Sequence, residues 1–291
     1  MHMLEIRNVV KTFGKDVKAV DDVSLSLGRG VVGLIGHNGA GKTTLMQMIA
    51  TLTRPTSGQI LFDGVDIAKK PNQIRRRLGF LPQDFGVYPN LTALEFMQYF
   101  AALKGVRDPA RIRHLLELVN LHDQAKRQAA SFSGGMRRRL GIAQALLNDP
   151  DILVVDEPTA GLDPEERLRF RNLLGELGFN KLVIISTHIV SDVESIASEL
   201  AIMKSGRLIA CETPDAMLDK ARGRVWAASV DAPTYDALRS NVHVLQAQRQ
   251  GDGMALRIAH PHSPCAGARN VEPSLEEALM AQRYAVQELA A

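Results

Sequence analysis

The chain has 291 residues, 45% of them hydrophobic and 23% charged, with a formal net charge of +3. These proportions exclude a wholly disordered, collagen-like or disulfide-stapled chain and leave a globular protein. The longest run free of acidic and basic residues, 30–41, has 12 residues and is broken by glycines, too few to span a bilayer.

In chain order, Met1 to Glu5 lacks the basic stretch and apolar core of a secretory signal, so a cytoplasmic chain is expected; Met1-His2-Met3 also fits a cloning remnant. Leu4, Ile6 and Val9, then Val23, Leu25 and Leu27, alternate with polar residues as half-buried antiparallel strands do. Residues 31–35 are a continuous apolar run suited to a buried parallel strand, and 43–52 beyond the glycines have helical spacing. Residues 59–67 predict a hairpin around Asp63-Gly64, and 78–83 a short strand. Across 92–148 the apolar residues Leu94, Phe96, Phe100 and Leu103, then Leu115, Leu118 and Leu121, then Leu140, Ala143 and Leu147 predict a helical insert. Buried strands return at 152–155 and 182–186, each expected to lead into a helix as in βαβ units, and 199–210 predicts a hairpin around Ser205-Gly206. Beyond that, 224–230 and the pair within 243–258 around Gly251-Asp252-Gly253 predict strands, and 273–289 a closing helix.

All 11 lysines lie at or before Lys220, and residues 221–291 hold 7 arginines against 7 acidic residues, so the positive excess belongs upstream. This shift predicts a boundary near residue 220, with a main domain at 1–220 and a small α+β domain at 221–291. Cys211 and Cys265 have no metal-ligand spacing and read as reduced bystanders. The net charge is too small to argue for nucleic acid. Arg75-Arg76-Arg77 and Arg137-Arg138-Arg139, not interleaved with aromatics, read as solvated helical faces.

The strongest motif is Gly36-His37-Asn38-Gly39-Ala40-Gly41-Lys42-Thr43, a P-loop pattern between a predicted strand and a predicted helix that continues with Thr44. Its glycines let backbone N–H groups wrap phosphates, Lys42 brings charge to the outer phosphates, the helix N-terminus adds its dipole, and the Thr43 hydroxyl can ligate Mg²⁺. ATP and Mg²⁺ are the cofactors this predicts. Asp156-Glu157 ends the strand at 152–155: Asp156 suits Mg²⁺ and Glu157 the polarising of an attacking water. Alone, that pair could be a helix N-cap; beside a P-loop it points to phosphoryl transfer. Ser133 followed by Gly134 and Gly135 at a helix start is a further anion site, with a cap hydroxyl and bare N–H groups.

Taken in order, these residues resemble the nucleotide-binding subunits of ATP-binding cassette (ABC) transporters. Ser131-Phe132-Ser133-Gly134-Gly135-Met136 is similar to the family's signature sequence, with Phe132 where Leu is usual and Met136 where Gln is usual. Met136 leaves the phosphate donors in place and removes the Gln amide. The resemblance implies two chains facing head to tail, each signature closing the other's ATP. Gln83 resembles the Q-loop glutamine, which touches Mg²⁺ or water; Gly161-Leu162-Asp163 resembles the D-loop, which communicates across the dimer; Ser186-Thr187-His188 resembles the switch, with His188 reaching the γ-phosphate. Phe13, in Lys11-Thr12-Phe13-Gly14, stands where the family stacks an aromatic ring on adenine, the alternative being a core aromatic at a strand end. Spanning residues 4 to about 220, the resemblance implies an α/β fold. The implied form is a P-loop NTPase ABC cassette with a RecA-like mixed sheet core, an antiparallel β subdomain and a helical subdomain at about 90–150, plus the small C-terminal domain. It also implies an ATPase.

The segment from Gln83 to Ser133 has room for three or four helices but not for a long coiled coil, and one cassette per chain disfavours tandem-cassette translation factors. A transporter role requires a separate membrane permease. Phe85-Gly86-Val87-Tyr88-Pro89-Asn90-Leu91-Thr92 is the surface the family offers to it, with Phe85 and Tyr88 as exposed anchors, unless this loop packs on itself. That string, and the tail Glu272-Pro273-Ser274-Leu275-Glu276-Glu277-Ala278-Leu279, look like the single-cassette ATPases of type-2 exporters of drugs, lipids or polysaccharides; import is the alternative direction. The C-terminal domain is then either regulatory or a dimer-stabilising appendage. The implied protein is a homodimer formed through ATP, peripheral on the inner face of the cell membrane.

Overall fold

The computed structural model describes residues 3–14 and 17–288, with side chains to residue 281. Met1, His2 and Leu289 lie outside the described residues. The chain divides into two units, Met1–Cys211 and Glu212–Ala291.

In the first unit, β1 (Leu4–Phe13) and β2 (Val17–Leu27) pair antiparallel, from Leu4 opposite Leu27 to Phe13 opposite Val17, and bury Leu4, Ile6, Val9, Val23 and Leu27 on one face. β3 (Gly30–Ile35) is followed by the loop into α1 (Lys42–Ile49). β4 (Ser57–Phe62) and β5 (Val65–Asp66) form a tight hairpin whose turn residues, Asp63 and Gly64, have φ of 46° and 77°. Two left-handed residues are what a two-residue hairpin turn demands, and Asp-Gly adopts them readily. These strands make a sheet in the order β2-β1-β4-β5.

After the short α2 (Pro71–Arg75) and β6 (Leu78–Leu81) come the three helices of the insert: α3 (Ala93–Lys104), α4 (Pro109–Leu118) and α5 (Gly134–Ala145). α3 starts at a reciprocal cap: the Thr92 hydroxyl accepts from Glu95 N–H, while Glu95 accepts from Thr92 N–H, and left-handed Gly105 ends the helix. α5 has no solvated face over its middle turns, because α3, α4 and β6 pack around it. The reading of 137–139 as solvated is therefore corrected: Arg138 and Arg139 are buried at 8% exposure each, their charges met by backbone carbonyls and Glu166. Arg75, Arg76 and Arg77 are exposed.

β7 (Ile152–Asp156), α6 (Pro164–Gly178), β8 (Leu182–Thr187), β9 (Glu199–Lys204) and β10 (Arg207–Glu212), all but the last residue of β10, complete the first unit. The six-stranded sheet runs β10-β9-β3-β8-β7-β6, and β9, β3, β8, β7 and β6 are parallel neighbours. β8 does not lead into an α-helix as expected. The Thr187 hydroxyl accepts the N–H of Ile189 and turns the chain at once, leaving a three-residue 3₁₀ turn, Val190–Asp192. One apolar core, including Leu34, Leu45, Met46, Phe62 and Val154, lies between the two sheets with α1 inside it.

The second unit holds α7 (Pro214–Ala221), β11 (Val225–Asp231), α8 (Ala232–Leu238), β12 (His243–Gln250), β13 (Gly253–Ala259), β14 (Arg269–Asn270) and α9 (Leu275–Glu288). Its sheet has the order β12-β13-β11-β14, with Ala228, Leu256 and Ile258 in a core shared with Tyr235 and Leu238 of α8. The boundary falls ahead of the composition shift at Lys220, because α7, capped by the Thr213 hydroxyl, packs on α9.

α9 begins at another reciprocal cap: Ser274 N–H donates to Glu277 and the Ser274 hydroxyl accepts from Glu277 N–H. Arg257 of β13 grips the same carboxylate with Nε and Nη2, both at 2.6 Å. Burial pushes the Glu277 carboxyl up, but the Arg257 fork and the Ser274 N–H outweigh it and hold the group below its ordinary 4.5. A depressed carboxyl stabilises the fold above its unfolded value and loses that contribution as pH falls through the folded one. The second unit is thus expected to weaken below pH 4.5. Glu277→Gln should cost about 1–3 kcal/mol at neutral pH and flatten this acid limb. Fluorescence of Trp226, the single tryptophan, reports the unfolding.

Candidate nucleotide site

The loop between β3 and α1 is forced by glycine. Gly39 and Gly41 have φ of 81° and 99°, and a Cβ on Gly41 would lie 2.3 Å from the carbonyl oxygen of Ala19. Gly41 is also the N-cap of α1 and supplies no side chain, so nothing in the loop covers the start of the helix. Among the described residues the N–H groups of Gly39, Gly41, Lys42, Thr43 and Thr44 donate to no acceptor. Five bare donors at one helix start make a cradle for an anion. His37, Asn38, Gly39 and Thr43 are exposed, and Gly36 and Ala40 are buried.

Lys42 is 5% exposed, and its Nζ donates to the carbonyls of Gly36 at 2.7 Å and His37 at 3.3 Å. The same ammonium lies 3.7 Å from Oε1 of Glu157, the residue just past the end of β7. Glu157 in turn meets His188, past the end of β8, with Nδ1 at 2.8 Å from Oε2. Its backbone is in the left-handed region at φ 46°, an unfavourable place for a glutamate. Ser186 of β8 helps to hold it there: Glu157 N–H donates to the Ser186 hydroxyl at 2.9 Å and the Ser186 carbonyl at 3.2 Å. The Ser186 hydroxyl donates to Oδ1 of buried Asp156, whose other oxygen has no hydrogen-bond partner among the described residues.

Thus Gly36 to Thr44, Asp156, Glu157 and His188 gather at one end of the sheet. The Gln83 side chain is exposed beyond β6, and only its carbonyl is engaged, by Arg138. Phe13 is 47% exposed, with Lys11 Nζ 5.1 Å above its ring, which removes the core-aromatic alternative. Among the described residues no hydrogen bond or ion pair joins Ser133, Gly134, Gly135 or Asp163 to the loop at 36–44. Ser133 caps α5, its hydroxyl accepting from Met136 N–H at 3.2 Å, and Asp163 caps α6, accepting from Glu166 N–H at 2.9 Å. Ser133 and Gly134 are exposed, so the start of α5 is open to a ligand outside its own chain.

Three residues that local reading had given no part in the site belong to it. Ser186 holds the Asp156 carboxylate and the Glu157 N–H, buried Asp192 accepts from Thr159 at 2.5 Å, and Arg138 binds the carbonyls of Asp156 and Glu157. Ser186 stands in the string that resembles the switch, where the resemblance assigns a contact to His188 alone, and no motif marks Asp192 or Arg138 for this role.

The sequence model of the ABC transporter family matches residues 20–160. Over 226 residues, 76% of this chain and 74% of the relative, the sequence is 38% identical to the Nod factor export ATP-binding protein I of Cupriavidus metallidurans. It is 41% identical over 201 residues, 67% of this chain and 82% of the relative, to the ABC transporter ATP-binding protein NatA of Bacillus subtilis.

The chain belongs to the ATP-binding subunits of ABC transporters. Its cassette fold agrees with a solved ATP-binding cassette described as a dimeric post-hydrolysis state bound to ADP and Pi, with a TM-score of 0.66 and 28% identity over 72% of this chain and 98% of that one. The protein is an ABC transporter ATPase that binds and hydrolyses ATP.

The burial of Lys42 predicts a pH dependence of ATP binding. Burial holds its ammonium below the ordinary 10.5, and Glu157 and Asp156 oppose that without cancelling it. Phosphate oxygens favour the charged form, so ATP binding should take up a proton at alkaline pH, and affinity should fall as pH rises through the lowered value towards 10.5. Calorimetric titration with ATP in two buffers of different ionisation enthalpy measures the uptake. Lys42→Met should abolish it and weaken binding by roughly 1.5–3 kcal/mol.

Proposed function

We propose that this ATPase closes as a homodimer on two Mg-ATP molecules and drives export through a separate membrane permease. The observation that carries the reading is the Glu157 carboxylate, held between Lys42 and His188 beside five bare N–H groups. In it, Gly36 to Thr44 bind the phosphates, Phe13 stacks on the adenine and Glu157 accepts the proton of the attacking water, while His188 turns to the γ-phosphate. The donor set suits a hydrated Mg²⁺, which needs few protein oxygens: the free oxygen of Asp156, the hydroxyl of exposed Thr43 and the Gln83 amide would hold it. Bound there, it would neutralise phosphate charge.

The open start of α5 at Ser133 to Gly135 serves the nucleotide of the opposite chain, and Asp163 of the capped turn before α6 lies along that interface. No helix among the described residues is long and apolar enough to cross a membrane, so a pump of this kind needs a membrane subunit. Its contact is the aromatic surface at 85–92 and α3. Phe85 is less exposed than expected, half-buried at 5.9 Å from the ring of Phe96, because α3 turns its aromatic side towards it. Tyr88, Tyr99 and Leu103 are exposed at 49%, 45% and 65% and take over as anchors. A cytoplasmic, membrane-peripheral location is the consequence of this docking. The name of the Nod factor export relative favours export as the direction. The second unit is read as an accessory domain, regulatory or dimer-stabilising.

Glu157→Gln should bind ATP, run as a stable dimer on gel filtration with ATP and lose at least about a hundredfold in turnover; retained turnover would remove Glu157 as the base. Replacing Tyr88 and Tyr99 together by Ser should release the protein from the membrane fraction of its host with ATPase activity retained. Continued sedimentation with membranes would reject this docking surface.

A further inference from the structure

Arg138 sits on α5, five residues beyond Ser133, and is 8% exposed. Its Nε donates to the carbonyl of Pro158 at 3.1 Å, its Nη1 to those of Pro82 at 3.2 Å and Gln83, and its Nη2 to those of Asp156 at 3.0 Å and Glu157. Five backbone carbonyls from two distant loops thus converge on one guanidinium. No carboxylate forms an ion pair with it among the described residues, although Asp156, Asp84 and Glu157 are near enough to favour its charge against burial. A buried cation without an ion pair is costly, and only a planar fork of five N–H donors can meet this many carbonyls at once. Lysine presents a point charge and glutamine two donors.

We infer that Arg138 is a positioning residue that couples the two nucleotide half-sites carried by one chain. The inference rests on the opposed-dimer reading proposed above. α5 presents Ser133 to Gly135 to the opposite chain's nucleotide, whereas Glu157 serves the chain's own. Arg138 ties the first to the second. The Glu157 peptide is gripped on both sides, its N–H by Ser186 and its carbonyl by Arg138, which keeps a left-handed glutamate where the fold would otherwise relax it. Through Gln83 the same guanidinium holds the start of the loop that runs to Phe85 and Tyr88. A shift of α5 on dimer closure, or of that loop under a membrane partner, therefore moves the carbonyl of the base. Coupling of this kind needs a physical element that both sites bias, and Arg138 supplies it.

Arg138→Lys and Arg138→Gln in the full chain test this. The P-loop is untouched, so ATP affinity of the monomer should stay within about threefold of the parent, while kcat falls at least about tenfold in both variants. The Hill coefficient of the ATPase should drop from about 2, the ceiling for two sites, towards 1. Lysine should restore the parent melting temperature without restoring kcat, which separates the fork from charge and packing. Parent kcat and parent Hill coefficient in either variant would overturn the inference. So would a kcat lost only in step with ATP affinity and melting temperature, or failure of both variants to fold, since each makes Arg138 architectural. A parent protein that hydrolyses ATP without cooperativity would instead sink the opposed-dimer reading on which the inference stands.

Discussion

The parallel register of β6, β7, β8 and β3 is the constraint on which the site depends. Leu81 stands opposite Val155, Asp156 opposite Ser186, and Ile35 opposite Thr187, so the four strands end within two residues of one another. The residues just beyond each strand are then delivered to the same edge: Gln83 after β6, Glu157 after β7, His188 after β8 and the phosphate loop after β3. A slip of one residue would turn Asp156 to the other face and break the contact between Ser186 and its carboxylate. The apolar runs that fix this register, Val31 to Ile35, Ile152 to Val155 and Leu182 to Ile185, are all buried, so core packing and the alignment of the strand ends are enforced by the same side chains.

Charge is handled at that edge by local pairing. Lys42 and Glu157 are both buried, and each would be costly alone. Lys42 is met by two carbonyls and a carboxylate, Glu157 by Lys42 and His188, and Asp156 by a serine hydroxyl. These partners are exchangeable. A polyphosphate can take the carbonyls' place on Lys42, and the carboxylate is then free to face a water. A site built this way is held together by contacts that a bound polyphosphate could take over.

Much of this could be read from the sequence, because the decisive features are local. A glycine loop between an apolar strand and a helix, and carboxylates closing a strand, are short-range patterns, and Asp63-Gly64 marked its hairpin. The features that escaped were short or distant in sequence. α7 and α8 have only about two turns each, yet Thr213-Pro214 and Asp231 with Pro233 are cap-and-proline signals that mark their starts. The run Arg137 to Arg139 reads as solvated because local charge pattern is blind to partners such as Pro82 and Pro158, which only the folded sheet brings to α5. Leu103 fits the helical period of α3 and is exposed, since period marks a stripe without saying how far around the helix the core reaches.

The stretch from Asp156 to Thr159 is where these ties meet. Ser186 holds Asp156 and the Glu157 N–H from the sheet, Arg138 holds the carbonyls of Asp156, Glu157 and Pro158 from the signature helix, and Asp192 holds the Thr159 hydroxyl from the switch side. Asp192 also lies 3.5 Å from the Thr187 hydroxyl, one residue before His188, and 3.7 Å from Arg167 of α6. Four residues are thus pinned by three elements that come from different parts of the chain. Left-handed backbone at a non-glycine residue persists only where its surroundings over-determine it. At Glu157 they do, and the side chain inherits the consequence: its direction is fixed by the joint position of sheet, signature helix and switch, so displacing any one of them re-aims the carboxylate.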